Sequence, residues 1–312
     1  MNVLREGLGW FGLRSVNLDA LNLGPLGRVL PRELVDALGL RSAATEAGRG
    51  RRVLVTGGAS GLGAALAAGF GGRGDTVLVT DLATDGQAVP LPAGAVYRRH
   101  DITSESDWTA ARAWVQQEWG GLDVLVNNAG IAAGGRIDRL DDAHWRRVLD
   151  VNVLGVVNGC RTFVPLFKSQ GGGHVVNIAS AAGLVHPAAM TSYCASKAAV
   201  VALSESMRHE LQAWGIRVSV VCPAFFRTNL AASLGGDDPM MEETAVTLIG
   251  DAPRGADEVA EQVLRGVQDG RFLVLPDRDG RLAYWTKRLA RPFYDRPMIA
   301  VGAQIRRAEL HE

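Results

Sequence analysis

The sequence predicts an α/β fold in which helices cover both faces of a doubly wound parallel sheet. Between Arg51 and Pro276, short runs of β-branched and other apolar residues alternate with longer segments of helical periodicity, which is the pattern of repeated βαβ units. Most of the short runs are nearly continuously apolar, as strands are when both faces of a sheet are buried. Because crossovers between parallel strands are right-handed, a ligand crevice is expected at the carboxyl ends of the strands.

Seven segments are predicted as strands, because each is a short apolar run bounded by turn-forming residues. They are Val53–Thr56, Thr76–Asp81, Ala95–His100, Val124–Asn127, His174–Ala179, Val218–Cys222 and Phe272–Leu275. Three segments between them are long enough and periodic enough to be crossover helices. They are Asp107–Trp119, His144–Phe167 and Tyr193–Trp214.

Composition divides the chain into three parts. Residues 1–50 form an N-terminal extension that ends in a linker, since the stretch from Arg41 to Gly50 holds small and charged residues that cannot build a packed face. Residues 51–276 form a single α/β domain that is large enough to bury a core. Residues 277–312 form a C-terminal tail with many arginines.

Bulk composition narrows the classes of function. Thirty-three basic residues balance thirty-three acidic ones, which removes the positive footprint of a protein that binds nucleic acid. A small molecule is therefore the expected partner. Cys160, Cys194 and Cys222 show neither a pairing pattern nor a metal-ligand spacing, which predicts no disulfide framework, no metal site and a reducing cytoplasm. The sequence predicts neither a secretion signal nor a membrane span, because it holds no uninterrupted apolar run of about 18 residues.

A glycine-rich turn follows the first predicted strand directly. It reads Thr56-Gly57-Gly58-Ala59-Ser60-Gly61-Leu62-Gly63 and opens an alanine-rich helix. Glycine lets the backbone turn tightly and approach a pyrophosphate, while the helix N-terminus offers unpaired N–H groups to the anion. The turn therefore predicts a dinucleotide phosphate site, although the motif by itself also fits a tight β-to-α turn.

A carboxylate follows the glycines by about 20 residues, where it can accept hydrogen bonds from an adenosine ribose. This residue, Asp81, ends the second predicted strand. A 2′-phosphate at that place would face like charge, and Ser60 and Leu82 occupy the positions where a compensating cation would be expected. The sequence therefore predicts NAD rather than NADP, while a simple strand-end cap is the alternative role for Asp81.

Tyr193 and Lys197 lie four residues apart on one face of a predicted helix, so their side chains can share a site. An ammonium beside a phenol favours the phenolate. The pair is therefore suited to exchange a proton with an alcohol or carbonyl oxygen near neutral pH. The same spacing also occurs by chance, as a surface cation beside a half-buried ring, and the order of the other motifs decides between the two.

Five motifs agree in type, order and spacing. They are the turn Thr56–Gly63, Asn127-Asn128-Ala129-Gly130 after the fourth predicted strand, Asn152 in the next helix, Ser180 after the fifth strand, and the Tyr193/Lys197 pair. Together they resemble the short-chain dehydrogenase/reductase family over residues 51–276. The resemblance implies a Rossmann-type fold, an NAD(H)-dependent oxidoreductase that interconverts a secondary alcohol and a ketone, and a homodimer or homotetramer.

The resemblance also implies a role for each matching residue. At the phosphate end, the resemblance implies contacts of the cofactor with Gly57, Ser60, Gly61, Leu62 and Gly63 of the glycine-rich turn. Asp81 is implied at the adenosine ribose, Asp101 and Ile102 at the adenine, and Asn128, Ala129 and Gly130 at the middle of the cofactor. Tyr193 and Lys197 are implied at the nicotinamide side, and Thr228 at the carboxamide. Tyr193 is implied as the acid or base, and Ser180 as the group that holds the substrate oxygen. Lys197 is implied to lower the pKa of Tyr193, and Asn152 to support a water that relays the proton.

One position departs from the family's pattern. The family usually has Pro-Gly after the sixth strand, whereas here Pro223 is followed by Ala224. Alanine adds a Cβ and loses the freedom that glycine has at positive φ. The path of the loop that carries Thr228 is therefore the least determined part of the predicted site.

The segment Ala224–Gly250 is expected to fold over the substrate as helical pieces on a loop. Its apolar residues are Phe225, Phe226, Leu230, Leu234, Met240, Met241, Leu248 and Ile249. They favour an apolar or aromatic substrate, with packing onto the core or a neighbouring subunit as the alternative.

Two other functions stay open at this point. A dinucleotide-binding redox sensor would not need Ser180, Tyr193 and Lys197 together. An epimerase or dehydratase on the same fold normally has a larger C-terminal domain than the chain offers after Pro276.

Both ends of the chain carry apolar residues that the family core does not explain. Those of the N-terminal part are Trp10, Phe11, Leu13, Leu18, Leu21, Leu23 and Leu26. Near the C-terminus, Leu282, Trp285 and Leu289 form an apolar stripe among arginines, the pattern of a basic amphipathic helix. Such a helix fits either an anionic membrane surface or docking on the protein itself, beside the substrate crevice or at a subunit interface. We favour docking on the protein, because a helix this short binds lipid weakly without a second anchor.

Overall fold

The computed structural model describes residues 50–83, 91–235 and 238–310, which build a sheet of parallel strands. The strands are β1 (Arg52–Thr56), β2 (Thr76–Asp81), β3 (Val96–Arg99), β4 (Val124–Asn127), β5 (Gly173–Ile178), β6 (Ile216–Val221) and β7 (Leu273–Val274). Their spatial order is β3-β2-β1-β4-β5-β6-β7. All seven predicted strands are confirmed, with bounds that shift by no more than two residues.

Helices connect the strands and continue after the last one. They are α1 (Gly61–Gly71), α2 (Glu105–Trp119), α3 (Asp142–Leu149), α4 (Gly155–Gln170), α5 (Ala182–Val185), α6 (Thr191–Leu211), α7 (Pro239–Gly250), α8 (Ala256–Gln268), α9 (Arg278–Leu289) and α10 (Arg291–Glu309). Short 3₁₀ turns lie at Gln212–Trp214 and Asn229–Ser233. Within the described parts of the chain, none of these helices is long and apolar enough to span a bilayer.

Successive residues of a central strand enter different hydrophobic cores. In β1, Leu54 packs in a core with α2, α4 and α6, whereas Val53 and Val55 pack in a second core with α1 and α8. All three side chains are completely buried. Because both faces of the sheet are covered, a strand needs apolar residues at every position, which explains the continuous apolar runs of the sequence.

The order of the strands reverses at β1. From β1 the chain adds β2 and β3 on one side, and then returns to place β4 on the other side. The connections that leave β1 and β4 therefore diverge, and a crevice opens at the carboxyl ends of these two strands. This is the place where open α/β sheets bind their ligands.

The segment predicted as one crossover helix over His144–Phe167 is helical throughout, but it is not uniform. A π-helical turn at Asp150–Leu154 joins α3 to α4, and the Gly155 N–H donates to the Asp150 carbonyl five residues back. Single π turns inside α-helices occur frequently at functional sites. Here the turn carries Asn152, whose side chain is completely buried.

The residues predicted as a C-terminal tail fold into α9 and α10. Gly280, Tyr284 and Tyr294 are buried on the inner side of this helix pair. Lys287 Nζ donates a hydrogen bond of 2.6 Å to the Leu184 carbonyl of α5, and the Tyr294 hydroxyl donates to the neighbouring Val185 carbonyl. The inner side of the pair therefore docks on α5. The apolar N-terminal segment and most of the predicted linker, residues 1–49, lie outside the described residues.

Candidate active site

The carboxyl ends of the strands border a cavity of about 800 Å³. All residues that the resemblance assigns to cofactor contacts line this cavity, and Ser180 lines it as well. Asn152 is the exception among the predicted site residues, because it is buried behind the lining. The fold thus brings the sequence motifs that follow β1, β4, β5 and β6 to the wall of a single cavity.

The glycine-rich turn depends on backbone conformations that favour glycine. Gly57 and Gly61 have φ values of 63° and 53°, in the left-handed region where a Cβ is strained. A Cβ on Gly63 would lie 2.1 Å from the Gly57 carbonyl oxygen, so the start of α1 packs directly against the turn. The first N–H groups of a helix have no acceptor within it. The turn and the helix start therefore fit an anionic phosphate group at this end of the cavity.

Asp81 lies at the end of β2, with its carboxylate held beside the glycine-rich turn. One carboxylate oxygen accepts the Ala59 N–H at 2.9 Å, and the other accepts the Leu82 N–H at 2.7 Å. The carboxylate thus caps the turn and also lines the cavity. The two roles that the sequence leaves open for Asp81 are therefore compatible with each other.

Asn128 ties the end of β4 to the glycine-rich turn. Its side-chain amide donates to the carbonyls of Thr56 and Gly57 at 2.9 Å and 3.0 Å. These bonds hold the two strand ends at a fixed separation along one side of the cavity. The sequence identified Asn128 as a cofactor contact, and the structure adds this positioning contact within the protein.

At the predicted adenine end of the site, a hydrogen bond from α2 holds the loop in place. The Ile102 carbonyl accepts the indole N–H of Trp108 at 2.8 Å, and Trp108 is fully buried. Asp101 accepts the backbone N–H and the hydroxyl of Thr103 at 2.9 Å and 2.7 Å. This loop is therefore preformed at the place where the resemblance implies an adenine ring.

Ser180 and Tyr193 line the same cavity. The Ser180 hydroxyl donates to the Pro223 carbonyl at 3.4 Å and accepts the Ala182 N–H at 3.1 Å. Burial raises the pKa of Tyr193 to about 12, and the Ser180 side chain acts in the opposite direction. Tyr193 is therefore a neutral phenol near neutral pH.

Burial also affects the residue beside Tyr193. Lys197 Nζ lies 5.7 Å from the centre of the Tyr193 ring, and it donates to the Ile178 carbonyl at 3.2 Å. Burial lowers the pKa of Lys197 to about 8. Removal from water thus shifts the pKa values of both groups toward their neutral forms.

Asn152 acts on the wall of the site through its neighbours. Its Oδ1 accepts the Ile131 N–H at 2.9 Å, and its Nδ2 donates to the Ile131 carbonyl at 3.0 Å. The Nδ2 also donates to Ser196 Oγ at 3.3 Å. A Cβ on Gly130 would come within 3.0 Å of Asn152 Oδ1 and 3.3 Å of Lys197 Nζ. The π turn therefore brings Asn152 close to Lys197 and fixes the strand-end loop between them.

The loop after β6 follows a path that alanine can adopt. Outside glycine, the described residues with positive φ are His186 and Ala189, so Ala224 has an ordinary backbone conformation. Its N–H donates to the Asp277 carboxylate at 2.7 Å. Farther along, Thr228 lies against the glycine-rich turn, since a Cβ on Gly61 would be 2.5 Å from Thr228 Oγ1. The departure from the family's Pro-Gly therefore leaves Thr228 at the cavity.

The flap over the cavity contains the helical pieces that the sequence predicts, the 3₁₀ turn Asn229–Ser233 and α7. Five of its eight apolar residues line the cavity, namely Phe225, Phe226, Leu230, Leu234 and Ile249. Met240, Met241 and Leu248 do not line it. The flap thus contributes five large apolar side chains to the lining, with aromatic rings near its beginning, beside the polar Thr228, Asn229 and Ser233.

Sequence reasoning missed the part of the wall that α9 and α10 supply. Asp279, Gly280, Ala283, Tyr294 and Met298 line the cavity. The signal was present as a second helical face, because Gly280, Ala283, Tyr284 and Lys287 recur at spacings of three and four residues. The sequence pattern was interpreted from the bulkier stripe at Leu282, Trp285 and Leu289, which lies on a different face of the helix.

Comparison with known proteins agrees with this geometry. Residues 51–238 match the family model described as short chain dehydrogenase. A 3-alpha-(or 20-beta)-hydroxysteroid dehydrogenase of Mycobacterium tuberculosis is 40% identical over 182 residues, which are 57% of this chain and 70% of that protein. A 2-(S)-hydroxypropyl-CoM dehydrogenase of Xanthobacter autotrophicus is 36% identical over 167 residues, which are 53% and 66% of the two chains.

A solved structure extends the similarity to the fold. The short chain dehydrogenase/reductase of Burkholderia phymatum in complex with NAD is 28% identical and has a TM-score of 0.72. The match covers 77% of this chain and 93% of that one.

The parallel sheet, the glycine-rich turn and the Ser180/Tyr193/Lys197 group together define a dinucleotide-binding oxidoreductase. The chain belongs to the short chain dehydrogenase family. It is an oxidoreductase that acts on CH–OH donors and interconverts alcohols and ketones.

Lys197→Met is expected to raise the free energy of unfolding at pH 7, by on the order of 2 kcal/mol. The buried ammonium has a pKa of about 8 in the folded chain and an ordinary value of 10.5, so its burial destabilises the fold below pH 8. Between these values the unfolded chain binds more protons, and the stability of the native protein therefore rises relative to that of the variant. Chemical denaturation of both proteins from pH 7 to pH 10 measures the difference.

Other buried groups titrate in both proteins and cancel in this difference. The advantage of the Met variant should narrow steadily as the pH rises. A difference that stays constant over the whole range would show that the lowered pKa of Lys197 does not contribute to stability.

Proposed function

We propose that the protein is an NAD(H)-dependent oxidoreductase for apolar or aromatic secondary alcohols and their ketones, with Tyr193 as the acid or base. One observation carries the proposal. Ser180, Tyr193 and Lys197 lie in the same cavity as the glycine-rich turn and Asp81. A proton donor and a dinucleotide cradle thus share one partly apolar space.

A bound nicotinamide dinucleotide would supply or accept the hydride. The residues that would hold it are those of the glycine-rich turn, Asp81 and Thr228, with the Ile102 and Asn128 loops on either side. The close contact between Gly63 and the Gly57 carbonyl supports this assignment, since the missing Cβ lets the helix start pack directly against the turn that would hold the phosphate.

Tyr193 acts on the oxygen of the substrate. As a neutral phenol it donates a proton to the oxygen when a ketone is reduced, and it must lose its proton before an alcohol can be oxidised. Its pKa of about 12 therefore favours reduction at neutral pH, and an alkaline medium assists oxidation. Ser180, which lines the same cavity, donates a second hydrogen bond to the same oxygen in this proposal. Two donors aimed at one oxygen stabilise the negative charge that develops there.

Lys197 and Asn152 support this pair from behind. The lysine ammonium is held by the Ile178 carbonyl near the Tyr193 ring, where its charge would stabilise a transient phenolate. Asn152 fixes Ile131 through two hydrogen bonds and acts as a positioning residue. Its role in supporting a relay water is part of the proposal.

The substrate class follows from the walls around the Ser180/Tyr193 pair. Phe225, Leu230 and Ile249 from the flap and Tyr294 and Met298 from α10 line the same cavity as this pair. Apolar and aromatic walls with few polar groups bind apolar ligands, and methionine adapts to different shapes. The relative from Mycobacterium tuberculosis, named for hydroxysteroids, supports the same class.

A substrate panel tests the proposed class. Hydroxysteroids and aryl secondary alcohols are expected to give kcat/KM values at least ~10-fold above those of small polyols and free sugars, because each well-buried apolar group adds binding energy. NAD reduction is followed at 340 nm for each alcohol, with 3-hydroxyacyl thioesters as an intermediate case. Turnover restricted to sugars or polyols would contradict the apolar assignment.

Tyr193→Phe is expected to lower turnover by at least ~10²-fold, the lower end for the loss of a positioned acid or base. Phenylalanine keeps the ring, so NADH binding measured by fluorescence titration should stay nearly intact. In the wild type, the rate of alcohol oxidation should rise with pH between 7 and 10, because more Tyr193 is deprotonated. The Phe variant should lose this dependence, and a variant with full activity would eliminate Tyr193 as the acid or base.

Asp81→Asn tests the preference for NAD over NADP. The wild type should prefer NAD in kcat/KM, because the carboxylate repels a 2′-phosphate. Asparagine removes the charge but keeps an acceptor for the Ala59 N–H, so the NADP/NAD ratio of kcat/KM should rise by roughly tenfold. Asp101→Asn, a charge change near the adenine, is the matched control and should move the ratio much less. Equal efficiency of the wild type with both cofactors would rule out the role given to Asp81.

A further inference from the structure

The helix pair α9/α10 carries large apolar side chains on the side that faces away from the cavity. Leu282, Trp285, Leu289 and Phe293 are 67%, 53%, 80% and 72% exposed. The first three recur at spacings of three and four residues, so they share one face of α9. We call these four residues the outer face. Clustered exposed apolar residues of this size mark an interaction surface rather than ordinary surface composition.

The outer face does not serve the packing of the helix pair. Contacts with the rest of the domain come from other positions of the same helices, where Tyr284 and Tyr294 are buried and Lys287 bonds to the Leu184 carbonyl. The docking expected from the sequence therefore accounts for one side of α9, and the apolar stripe on the other side still needs a partner.

Arginines without an ion pair to a described residue surround the outer face. Two of them also hydrogen-bond within the protein, Arg281 to the Leu275 carbonyl and Arg288 to the Tyr284 hydroxyl. Arg278, Arg281, Arg288 and Arg296 are exposed, and none of them forms an ion pair with a carboxylate of the described residues. In this stretch, Arg291 pairs with Asp295. A bulky apolar stripe among unneutralised arginines is complementary to a surface that combines negative charge with an apolar interior.

This charge pattern decides between the candidate occupants. A second copy laid face to face on this surface would bring arginines against arginines, which costs free energy. The segment 1–49 offers apolar residues, but its basic and acidic residues nearly balance, so it does not neutralise the cations. An anionic lipid surface supplies both negative headgroups and an apolar layer.

We propose that the outer face docks on an anionic membrane surface, with Trp285 at the level of the headgroups, where tryptophan is enriched. The arginines around it then contact the lipid phosphates. Gly280 and Ala283 on the opposite side of α9 line the cavity, so docking would bring a wall of the cavity against the bilayer. An apolar substrate dissolved in the membrane would then have a short path to the site.

Vesicle sedimentation of the full-length protein tests the proposal without relying on turnover. The protein should sediment with vesicles of phosphatidylcholine and phosphatidylserine, and at least ~10-fold less with phosphatidylcholine alone, because the arginines supply much of the attraction. Raising the salt concentration from about 0.05 M to 0.5 M should release most of it, because screening shortens the reach of exposed charges.

Two variants locate the binding surface. Trp285→Ser combined with Leu289→Ser should reduce binding to anionic vesicles at least ~10-fold, because two buried apolar anchors are lost. The matched control is Trp214→Ser, which removes a tryptophan that is 50% exposed on a 3₁₀ turn far along the chain from α9, and it should bind like the wild type. Circular dichroism and activity on a water-soluble substrate check that the double variant is folded.

Three outcomes would overturn the proposal. They are failure of the wild type to sediment with anionic vesicles at low salt, unchanged binding by the double variant, and equal loss in the Trp214 variant. Sedimentation velocity without lipid tests whether a second copy of the chain binds the outer face instead. An oligomer of the wild type that the double variant loses, in a protein that does not bind vesicles, would assign the outer face to a second copy of the chain.

Discussion

The site depends on the bond network that ties the end of β1 to the end of β4. Thr56 Oγ1 accepts the N–H groups of Asn128 and Ala129 at 3.0 Å and 3.1 Å, and it donates to the Val126 carbonyl at 3.3 Å. Two strands that are far apart in sequence therefore end at one fixed separation. Because the strand order reverses between them, this separation sets the width of the crevice. A glycine-rich turn without this tie would be a flexible loop rather than a preformed cradle.

The same rigidity explains how the fold keeps ionisable groups out of water. Tyr193 and Lys197 are both buried, and their pKa values shift toward the neutral forms, to about 12 and about 8. Burying such groups costs free energy unless partners are in place. The Ile178 carbonyl at the end of β5 accepts from Lys197, and the Ser180 side chain, two residues later, lowers the pKa of Tyr193. β5 and the residues after it thus offset part of the cost of burying the two groups.

The sequence predicts the sheet and the cavity lining well, because both follow from local patterns. Continuous apolar runs identify strands buried on two faces, and the motifs lie at strand ends that the topology must bring together. The pKa of Tyr193 could not be read in this way, because it depends on how far the whole site is removed from water. The π turn at Asp150–Leu154 was equally hidden, since the apolar spacing of His144–Phe167 was interpreted as that of one regular helix and π turns are short and rare.

The C-terminal helices show why a single amphipathic stripe is an incomplete description of a helix. In α9, the small inner residues Gly280 and Ala283 approach the cavity, while Leu282 and Trp285 point outward. Asp277, at the start of this helix, accepts the Ala224 N–H and pairs with Arg254 at 3.3 Å. The segment that appears as a tail in sequence is therefore bonded to the loop that leads to Thr228. Any partner that binds the outer face of α9 consequently contacts the back of a helix whose inner side forms the cavity wall.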